Sequence, residues 1–237
     1  MGAPGAGRDP RGGGPSIDPA ADPHAATETL AAGGAGTAAL VLLHGRGGSA
    51  RDILALGRAL GVDGLDLVAP AAAGGSWYPQ SFLAPLDANQ PHLDSALRRV
   101  DATVAGLLAR GVPAERVALL GFSQGACLAL EYVARYPRRF GAVMGLTGGL
   151  VGPPGMPRSD PGRLDGTPVF LGANDPDPHV PFARVLETRS ALERMGADVE
   201  LRRYPGLPHA VNEDEVEACR ALLRALVRPP TPAPGPR

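Results

Sequence analysis

Residues 117–126 read VALLGFSQGA and contain the turn on which the interpretation of this sequence depends. The apolar run that ends at Leu120 predicts a buried β-strand, and the Ala- and Leu-rich stretch 126–135 predicts a helix. Between them, residues 121–125 (GFSQG) form a GxSxG sequence in strand–turn–helix context. Such a turn is sharp and strained, so residues larger than glycine would collide with the adjacent helix or strand. The pattern predicts that Ser123 is a nucleophile exposed above the sheet; the alternative is a turn that merely connects two elements.

Short apolar stretches alternate with amphipathic stretches on both sides of this turn. Further strands are predicted at residues 37–43, 65–69, 142–146, 168–171 and 199–204. A helix between Pro91 and Gly111 places its apolar residues on one face, and the last helix begins at Asn212 with Glu215 as its capping partner. This alternation predicts an α/β fold with a doubly wound, mostly parallel sheet. In such sheets the reactive groups collect at the carboxyl ends of the strands.

The composition of the chain argues against several classes of function. The chain has 237 residues, of which 23 are basic and 24 acidic, so its formal net charge is −1. This balance argues against a dedicated nucleic-acid-binding protein. Since the sequence contains no lysine, a GxxxxGK[ST] phosphate-binding loop, a Schiff-base lysine and a Ser–Lys dyad are excluded. Cys127 and Cys219 lie in no CxxC or Cys/His cluster, so neither a disulfide scaffold nor a metal site is expected.

Low-complexity segments frame a single predicted domain. Residues 1–36 are rich in Gly, Ala, Pro and Asp and are predicted to be disordered, apart from a short edge strand near residues 27–31. Residues 229–237 contain five prolines and are predicted to be disordered as well. The folded domain is expected at residues 37–228, which is long enough for one hydrophobic core. We recognise no signal peptide and no membrane-spanning apolar run, so we expect a cytoplasmic protein without stable membrane insertion.

A second glycine-rich turn follows the first core strand, where residues 44–49 read HGRGGS. A turn in this position can offer the backbone N–H of Arg46 to a developing oxyanion, together with the backbone N–H of Gln124. The side chain of Arg46 would then be free to face elsewhere. His44 is expected to hydrogen-bond to the loop backbone rather than to act as a base.

The same turn is also compatible with a dinucleotide-binding site. Residues 45–50 satisfy GxGxxG/A between a strand and a helix, and Asp66 follows 21 residues after Gly45. A ribose-binding acid should lie at the carboxyl end of its strand, whereas Asp66 lies near the start of the predicted strand 65–69. A dinucleotide-binding oxidoreductase is therefore the weaker alternative.

A serine nucleophile needs a base, and the base needs an acid that fixes its tautomer. His209 follows strand 199–204 in a Pro/Gly turn that leads into the last helix, which places it at the reactive edge of the sheet. The loop after strand 168–171 offers two acids, Asp175 and Asp177. The chain order Ser, Asp, His is the order of an α/β-hydrolase, and it is satisfied by either aspartate.

On these motifs the chain resembles the small bacterial carboxylesterase/phospholipase and acyl-protein thioesterase family of α/β-hydrolases, over roughly residues 38–227. The resemblance is carried by LLHGRGGSA (42–50), SWYPQSF (76–82), GFSQGACLALEY (121–132), DPDPHVP (175–181) and YPGLPH (204–209). It implies an α/β-hydrolase fold without a large cap domain. It also implies hydrolysis of carboxylic esters, thioesters or lysophospholipids without a cofactor.

The resemblance favours one of the two candidate acids. The family's acid loop reads HGxxDPxVP, and anchoring it on residues 178–181 makes Asp177 the catalytic acid. The sequence departs from the family in having Leu171-Gly172 where that motif has His-Gly. Alignment from that side would select Asp175 instead, so Asp175 stays an alternative.

The combined interpretation is a serine hydrolase with Ser123 as nucleophile, His209 as base and Asp177 as orienting acid. Segment 76–82 matches the family's loop beside the acyl pocket, so Trp77 and Tyr78 are predicted to bind substrate; the alternative is that they only cover the core. The expected partners are small-molecule or lipid esters or thioesters, with no cofactor and no nucleic acid. A homodimer, and a non-catalytic binding module built on the same fold, stay open.

Overall fold

The computed structural model describes residues 22–34, 36–160 and 162–228, and these form a seven-stranded sheet covered by helices. The strands are β1 (Thr29–Ala32), β2 (Ala38–Leu43), β3 (Leu65–Pro70), β4 (Val117–Phe122), β5 (Ala142–Leu146), β6 (Pro168–Asp175) and β7 (Asp198–Pro205). They lie in the order β1-β3-β2-β4-β5-β6-β7. β1 is antiparallel to β3 and every other neighbouring pair is parallel. The predicted mostly parallel sheet is confirmed.

Helices cover both faces of this sheet. They are α1 (Ala50–Ala59), α2 (His92–Ala109), α3 (Gln124–Arg135), α4 (Phe182–Arg194) and α5 (Glu213–Val227). The buried residues of α1 and α5 share one core with the sheet, and those of α2, α3 and α4 share the other. Because successive strand residues point to opposite faces, β2 contributes alternate side chains to both cores, which explains its unbroken apolar sequence. Within the described residues no helical cap domain covers the carboxyl edge.

The amino-terminal segment differs from the prediction. His24, which the sequence assigned to a disordered head, is fully buried. Its Nε2 lies 2.9 Å from the carbonyl oxygen of Trp77, and its Nδ1 accepts a hydrogen bond of 2.9 Å from the backbone N–H of Ala73. The predicted edge strand near residues 27–31 is present as β1, at Thr29–Ala32. The predicted disorder is wrong for the other described residues up to 36, because hydrogen bonds to distant loops hold a segment whose composition resembles a linker. The rest of the predicted head, residues 1–21, and the tail, residues 229–237, lie outside the described residues.

The sheet brings its reactive loops together at one edge. β4, β6 and β7 run parallel, so the loops that follow them emerge on the same side. β6 is longer than predicted, because its pairing with β7 continues as far as Asp175 opposite Pro205. The predicted start of the last helix is confirmed: the side chain of Asn212 accepts from the N–H of Glu215, and the Glu215 carboxylate accepts from the N–H of Asn212, both at 3.0 Å.

Candidate active site

Ser123 lies on a strained turn between β4 and α3. Its backbone has φ 54° and ψ −118°, a left-handed conformation that non-glycine residues rarely adopt. The two flanking glycines are required by contact: a Cβ on Gly121 would lie 2.1 Å from the carbonyl oxygen of Gly125, and one on Gly125 would lie 2.1 Å from that of Leu43. The turn is held from the side by a hydrogen bond of 2.9 Å from the Ser123 N–H to the carbonyl of Leu146. These contacts fix the direction of the serine hydroxyl.

Three side chains from three different loops form a continuous chain of hydrogen bonds. The Nε2 of His209 lies 2.8 Å from the Oγ of Ser123, and its Nδ1 lies 2.7 Å from an Oδ2 of Asp177. The Asp177 side chain is fully buried, whereas that of His209 is 18% exposed. With Nδ1 protonated and donating to the carboxylate, Nε2 has a free lone pair facing the serine hydroxyl. This is the geometry in which a histidine can take the hydroxyl proton.

The environment of Asp177 keeps its carboxylate ionised. Burial raises the pKa of this carboxyl group, but the hydrogen bond from His209 and those from the backbone N–H groups of His179 and Val180 outweigh burial, so the net pKa is lowered. Both backbone hydrogen bonds are 2.8 Å long and reach Oδ1, which leaves Oδ2 for the histidine. Asp175, the alternative acid, instead forms an ion pair with Arg203. The structure therefore brings Asp177 to His209, whereas Asp175, the last residue of β6, pairs with Arg203 of β7.

A residue that the sequence did not single out, Asn174, holds the His209 loop. Its side-chain Nδ2 donates to the carbonyl oxygens of Pro208 and Ala210, at 2.6 and 3.1 Å. Asn174 is buried near the end of β6, and the two carbonyls that it binds lie immediately before and after His209. One side-chain amide group thus fixes the backbone on both sides of His209. The sequence shows an asparagine at a strand end, and nothing in its spacing indicates this long-range contact.

Two backbone N–H groups in the turns around Ser123 have no acceptor among the described residues. Neither the N–H of Arg46 nor that of Gln124 donates a hydrogen bond to any residue that the structure describes. Both belong to turns that approach Ser123: a Cβ on Gly45, the residue before Arg46, would lie 3.5 Å from the Cβ of Ser123. Unpaired N–H groups beside a nucleophile are the donors that an oxyanion requires.

The side chains of these same two residues bind one segment, residues 76–80. The guanidinium group of Arg46 donates to the carbonyl oxygens of Tyr78, Pro79 and Gln80, at 2.9, 3.0 and 2.7 Å. The carboxamide of Gln124 accepts from the N–H of Trp77 at 3.0 Å and donates to the carbonyl of Tyr78 at 2.8 Å. The Arg46 side chain, expected only to face elsewhere, therefore ties the turn after β2 to this segment, and Gln124 ties the start of α3 to it.

His44 and Trp77 form the support behind the turn after β2. His44 accepts at Nε2 from the N–H of Ala72 at 3.1 Å, so its Nδ1 carries the proton and donates to the carbonyl of Gly45 at 2.8 Å. Burial lowers the pKa of His44, which favours this neutral form. The expected hydrogen bonding of His44 to the loop backbone is confirmed. The indole N–H of Trp77 donates to the carbonyl of His44 at 2.9 Å.

A cavity of about 610 Å³ opens in front of Ser123. Its polar groups include His179 and His209, its apolar wall includes Phe82 and Val180, and Tyr78 and Cys127 line its inner part. Trp77 is fully buried and is not among the lining residues, so of the two residues predicted to bind substrate only Tyr78 reaches the cavity. Trp77 instead packs behind it, in contact with His24 and His44.

The cysteine that lines the cavity is not a candidate for a second nucleophile. Burial raises the pKa of the Cys127 thiol to about 12, so this cysteine is neutral and unreactive near pH 7. Among the described residues, no cluster of His, Cys, Asp and Glu has a metal-binding arrangement. In that same part of the chain no helix is long and apolar enough to span a bilayer.

The alternative dinucleotide site is not assembled. The carboxylate of Asp66 accepts from the N–H groups of Gly34 and Gly36, at 2.7 and 3.1 Å, and pairs with Arg110 at 2.6 Å. These contacts hold it near the amino-terminal end of β3, far along the strand from the glycine-rich turn that follows β2. The acid that would bind a ribose is thus occupied elsewhere.

A seven-stranded, mostly parallel sheet with a serine on a strained strand–helix turn at its carboxyl edge defines the class of α/β-hydrolase proteins. Residues 24–227 match the Phospholipase/Carboxylesterase family, and the chain belongs to this family of carboxylic ester hydrolases. Relatives include acyl-protein thioesterase 1 of Saccharomyces cerevisiae, 27% identical over 65% of this chain and 71% of that protein. A probable carboxylesterase, SOBER1-like, of Arabidopsis thaliana is 28% identical over 63% of this chain and 58% of its own length.

Solved structures agree with this assignment. The crystal structure of a phospholipase/carboxylesterase from Dyadobacter fermentans is 43% identical, with a TM-score of 0.80 over 84% of this chain and 96% of that chain. An esterase named PE8 is 28% identical, with a TM-score of 0.67 over 84% of this chain and 98% of that chain.

Proposed function

We propose that this protein is a serine hydrolase that cleaves carboxylic esters or thioesters through an acyl-enzyme intermediate. The observation that carries the proposal is the hydrogen-bonded chain from Ser123 through His209 to Asp177, at 2.8 and 2.7 Å, together with two nearby backbone N–H groups that have no acceptor among the described residues. A nucleophile, its base and an oxyanion site thus surround one point at the mouth of a cavity.

In the first half of the reaction, His209 Nε2 takes the hydroxyl proton while Ser123 Oγ bonds to the acyl carbon. The carbonyl oxygen becomes an oxyanion, which receives hydrogen bonds from the N–H groups of Arg46 and Gln124. When the tetrahedral intermediate collapses, the bond to the leaving oxygen or sulfur breaks, and His209 gives its proton to that atom. Asp177 holds the tautomer and stabilises the imidazolium.

In the second half, water replaces the alcohol or thiol. His209 takes a proton from water, the hydroxide oxygen bonds to the acyl carbon, and the oxyanion again faces Arg46 and Gln124. Collapse releases the carboxylic acid and returns the proton to Ser123. The steps use only groups of this chain and water.

The substrate class is supported by the relatives. Their names include acyl-protein thioesterase and carboxylesterase, so both oxygen and sulfur leaving groups are proposed for this chain. The cavity in front of Ser123 offers room for an acyl chain, with Tyr78 and Phe82 among its walls. Small-molecule or lipid esters and thioesters are therefore the substrates to test.

The direct test is a panel of 4-nitrophenyl esters and matched thioesters of increasing acyl length, assayed with the full chain before and after dialysis against EDTA. We expect hydrolysis that survives dialysis and falls by about 10⁴-fold or more in Ser123→Ala. Alanine fits the same turn, so thermal unfolding should show a folded variant. Equal activity in the folded Ser123→Ala protein would contradict the proposal. Absence of hydrolysis throughout the panel would favour a binding module.

A further inference from the structure

A second, smaller hollow lies beside the active-site cavity. It has a volume of about 240 Å³, and its walls include the apolar side chains of Ile53, Leu56, Phe122 and Val211. The carboxylate of Asp52, at its rim, is held by Ser49 in the cap of α1. The hollow is thus an apolar site formed by one helix, the end of β4 and the loop that carries His209.

The two hollows lie on opposite faces of the sheet and meet at its carboxyl edge. Phe82, Cys127 and Val180 of the larger cavity belong to the core under α2, α3 and α4. Ile53 of the smaller hollow belongs to the core under α1 and α5, and Val211 packs against it. The residues common to both linings are Gly45, Arg46 and Phe122. The ridge between the hollows is therefore formed by the turn after β2, which carries the proposed oxyanion donor, and by the residue that precedes Ser123.

This arrangement matches what the tetrahedral intermediate requires. Its central carbon bears Ser123 Oγ, the oxyanion, the acyl chain and the leaving group, so the two substrate arms must diverge from the ridge. The leaving atom has to face His209 Nε2 to receive its proton. Phe122 lies 5.3 Å from the His209 ring, measured between centroids, and Val211 is two residues beyond His209 in the chain. Ser123 and His209 line the larger cavity and not the smaller hollow, so the leaving atom itself stays in the larger cavity. Only the outer part of the leaving group can reach the smaller hollow, across the ridge at Phe122 beside the His209 ring.

We propose that the larger cavity binds the acyl chain and that the smaller one, the leaving-group hollow, binds the apolar part of the alcohol or thiol. This assignment rests on the proposed function and adds a substrate class to it: esters and thioesters whose leaving group carries a short alkyl or aryl chain. Each methylene transferred from water to an apolar wall contributes about fourfold to binding. Lengthening the alcohol from ethanol to hexanol should therefore raise kcat/KM by roughly 10- to 100-fold when the added chain is partly buried.

Three esters separate the two hollows. Ethyl acetate is the reference, hexyl acetate extends only the alcohol, and ethyl hexanoate extends only the acyl chain. Leu56→Asn and Val211→Thr place polar groups in the leaving-group hollow, and Leu83→Asn does the same in the larger cavity. Leu186→Asn, on an exposed residue of α4 outside both hollows, is the surface control. Thermal unfolding of each variant shows that it is folded.

We expect Leu56→Asn and Val211→Thr to lower kcat/KM for hexyl acetate about tenfold while changing ethyl acetate and ethyl hexanoate less than twofold. Leu83→Asn should lower the value for ethyl hexanoate alone, and the surface control should change none. The reverse pattern, or equal losses for all three esters in folded variants, would overturn the assignment while hydrolysis itself persists. Absence of hydrolysis of any ester would overturn the proposed function, and this assignment with it.

Discussion

Two groups of residues around Ser123 divide the proposed chemistry between them. The base side consists of His209 and Asp177, whose side chains carry that chemistry. The oxyanion side consists of Arg46 and Gln124, whose backbone N–H groups carry it. On the base side, the reacting side chains are hydrogen-bonded to each other, and other residues, such as Asn174, hold the backbone that carries them. On the oxyanion side, Arg46 and Gln124 both supply the donor N–H groups and hold them in place, because their side chains bind the backbone of residues 76–80.

Because of this difference, substitutions on the two sides measure different properties of the site. A side chain that reacts can be removed and its loss measured directly. A backbone donor survives most substitutions, so a change at Arg46 or Gln124 tests the position of the donor and leaves the donor itself in place. Removal of a reacting side chain on the base side should therefore have a larger effect than a substitution on the oxyanion side.

The largest of these effects is expected for the acid on the base side. Asp177→Asn should lower kcat by roughly 10³–10⁴-fold, because the amide no longer fixes the histidine tautomer or stabilises the imidazolium. Asp175→Asn is the matched control, since Asp175 pairs with Arg203 and should cost tenfold or less. Both variants are assayed on one short-chain aryl ester after their folding has been checked. A larger loss in Asp175→Asn would show that the wrong aspartate has been assigned.

On the oxyanion side, Arg46→Ala should lower kcat by about 10- to 100-fold, because the turn after β2 loses its contacts with residues 76–80 and its N–H shifts. Arg46→Lys should retain part of the activity through a single cationic donor that cannot bind several carbonyls at once. Arg51→Ala, an exposed arginine on α1, is the control. The readout is the affinity of a boronic acid, whose tetrahedral adduct with Ser123 places an oxygen among the same donors. Unchanged boronate affinity in Arg46→Ala would contradict this role.

Asn174→Ala tests the scaffold of the base side and should have a smaller effect, a fall in kcat of roughly tenfold. The reacting groups remain, but the carbonyls on either side of His209 lose their donor, so the imidazole is less well aligned. KM should change little, because Asn174 is buried and does not line the cavity. A rise in KM at constant kcat would show that Asn174 acts on substrate binding instead.

The smallest expected effect is on the stability of the folded protein and its dependence on pH, through the carboxyl group of Glu215. Glu215 is buried, and burial raises the pKa of its carboxyl group to about 7. In the unfolded chain a glutamate titrates near ~4.3, so between about pH 4.3 and 7 the unfolded state loses its proton first. Stability should fall as pH rises through this window and level off above it. Glu215→Gln keeps an acceptor for the Asn212 N–H and removes the titration.

The measurement is the Tm of both proteins at pH 5 and pH 8. The variant should gain on the parent as pH rises, and Glu217→Gln, an exposed glutamate of the same helix, should not. An identical pH dependence of Tm in Glu215→Gln and the parent protein would refute the account of Glu215.

The sequence predicted the elements whose causes are local. GxSxG in strand–turn–helix context predicted the turn that the structure shows at Ser123. Its two glycines are required because a Cβ at either position would collide with backbone atoms of the neighbouring segment. The alternation of apolar stretches predicted the sheet. The positions of His209 after β7 and of Asp177 after β6 were predicted from the edge at which parallel strands end, whereas Asp175, expected in the loop, is the last residue of β6.

The parts that the sequence did not predict depend on contacts between distant segments. His24 is ordered by bonds to Trp77 and Ala73, some fifty residues away, whereas its own neighbourhood has the composition of a linker. The same holds for Arg46, whose carbonyl partners lie more than thirty residues further along the chain. Backbone acceptors have no sequence signature, so neither contact could be read from residue types.

Covalent labelling identifies the nucleophile without reference to any substrate, and Ser123 is the residue that should react. The full chain is incubated with a fluorophosphonate, digested, and analysed by mass spectrometry, with Ser123→Ala and Asp177→Asn treated in parallel. We expect a single adduct on Ser123, formed much more slowly in Asp177→Asn and absent from Ser123→Ala. An adduct on another residue, or equal labelling of the folded Ser123→Ala protein, would contradict the assignment of Ser123 as the nucleophile.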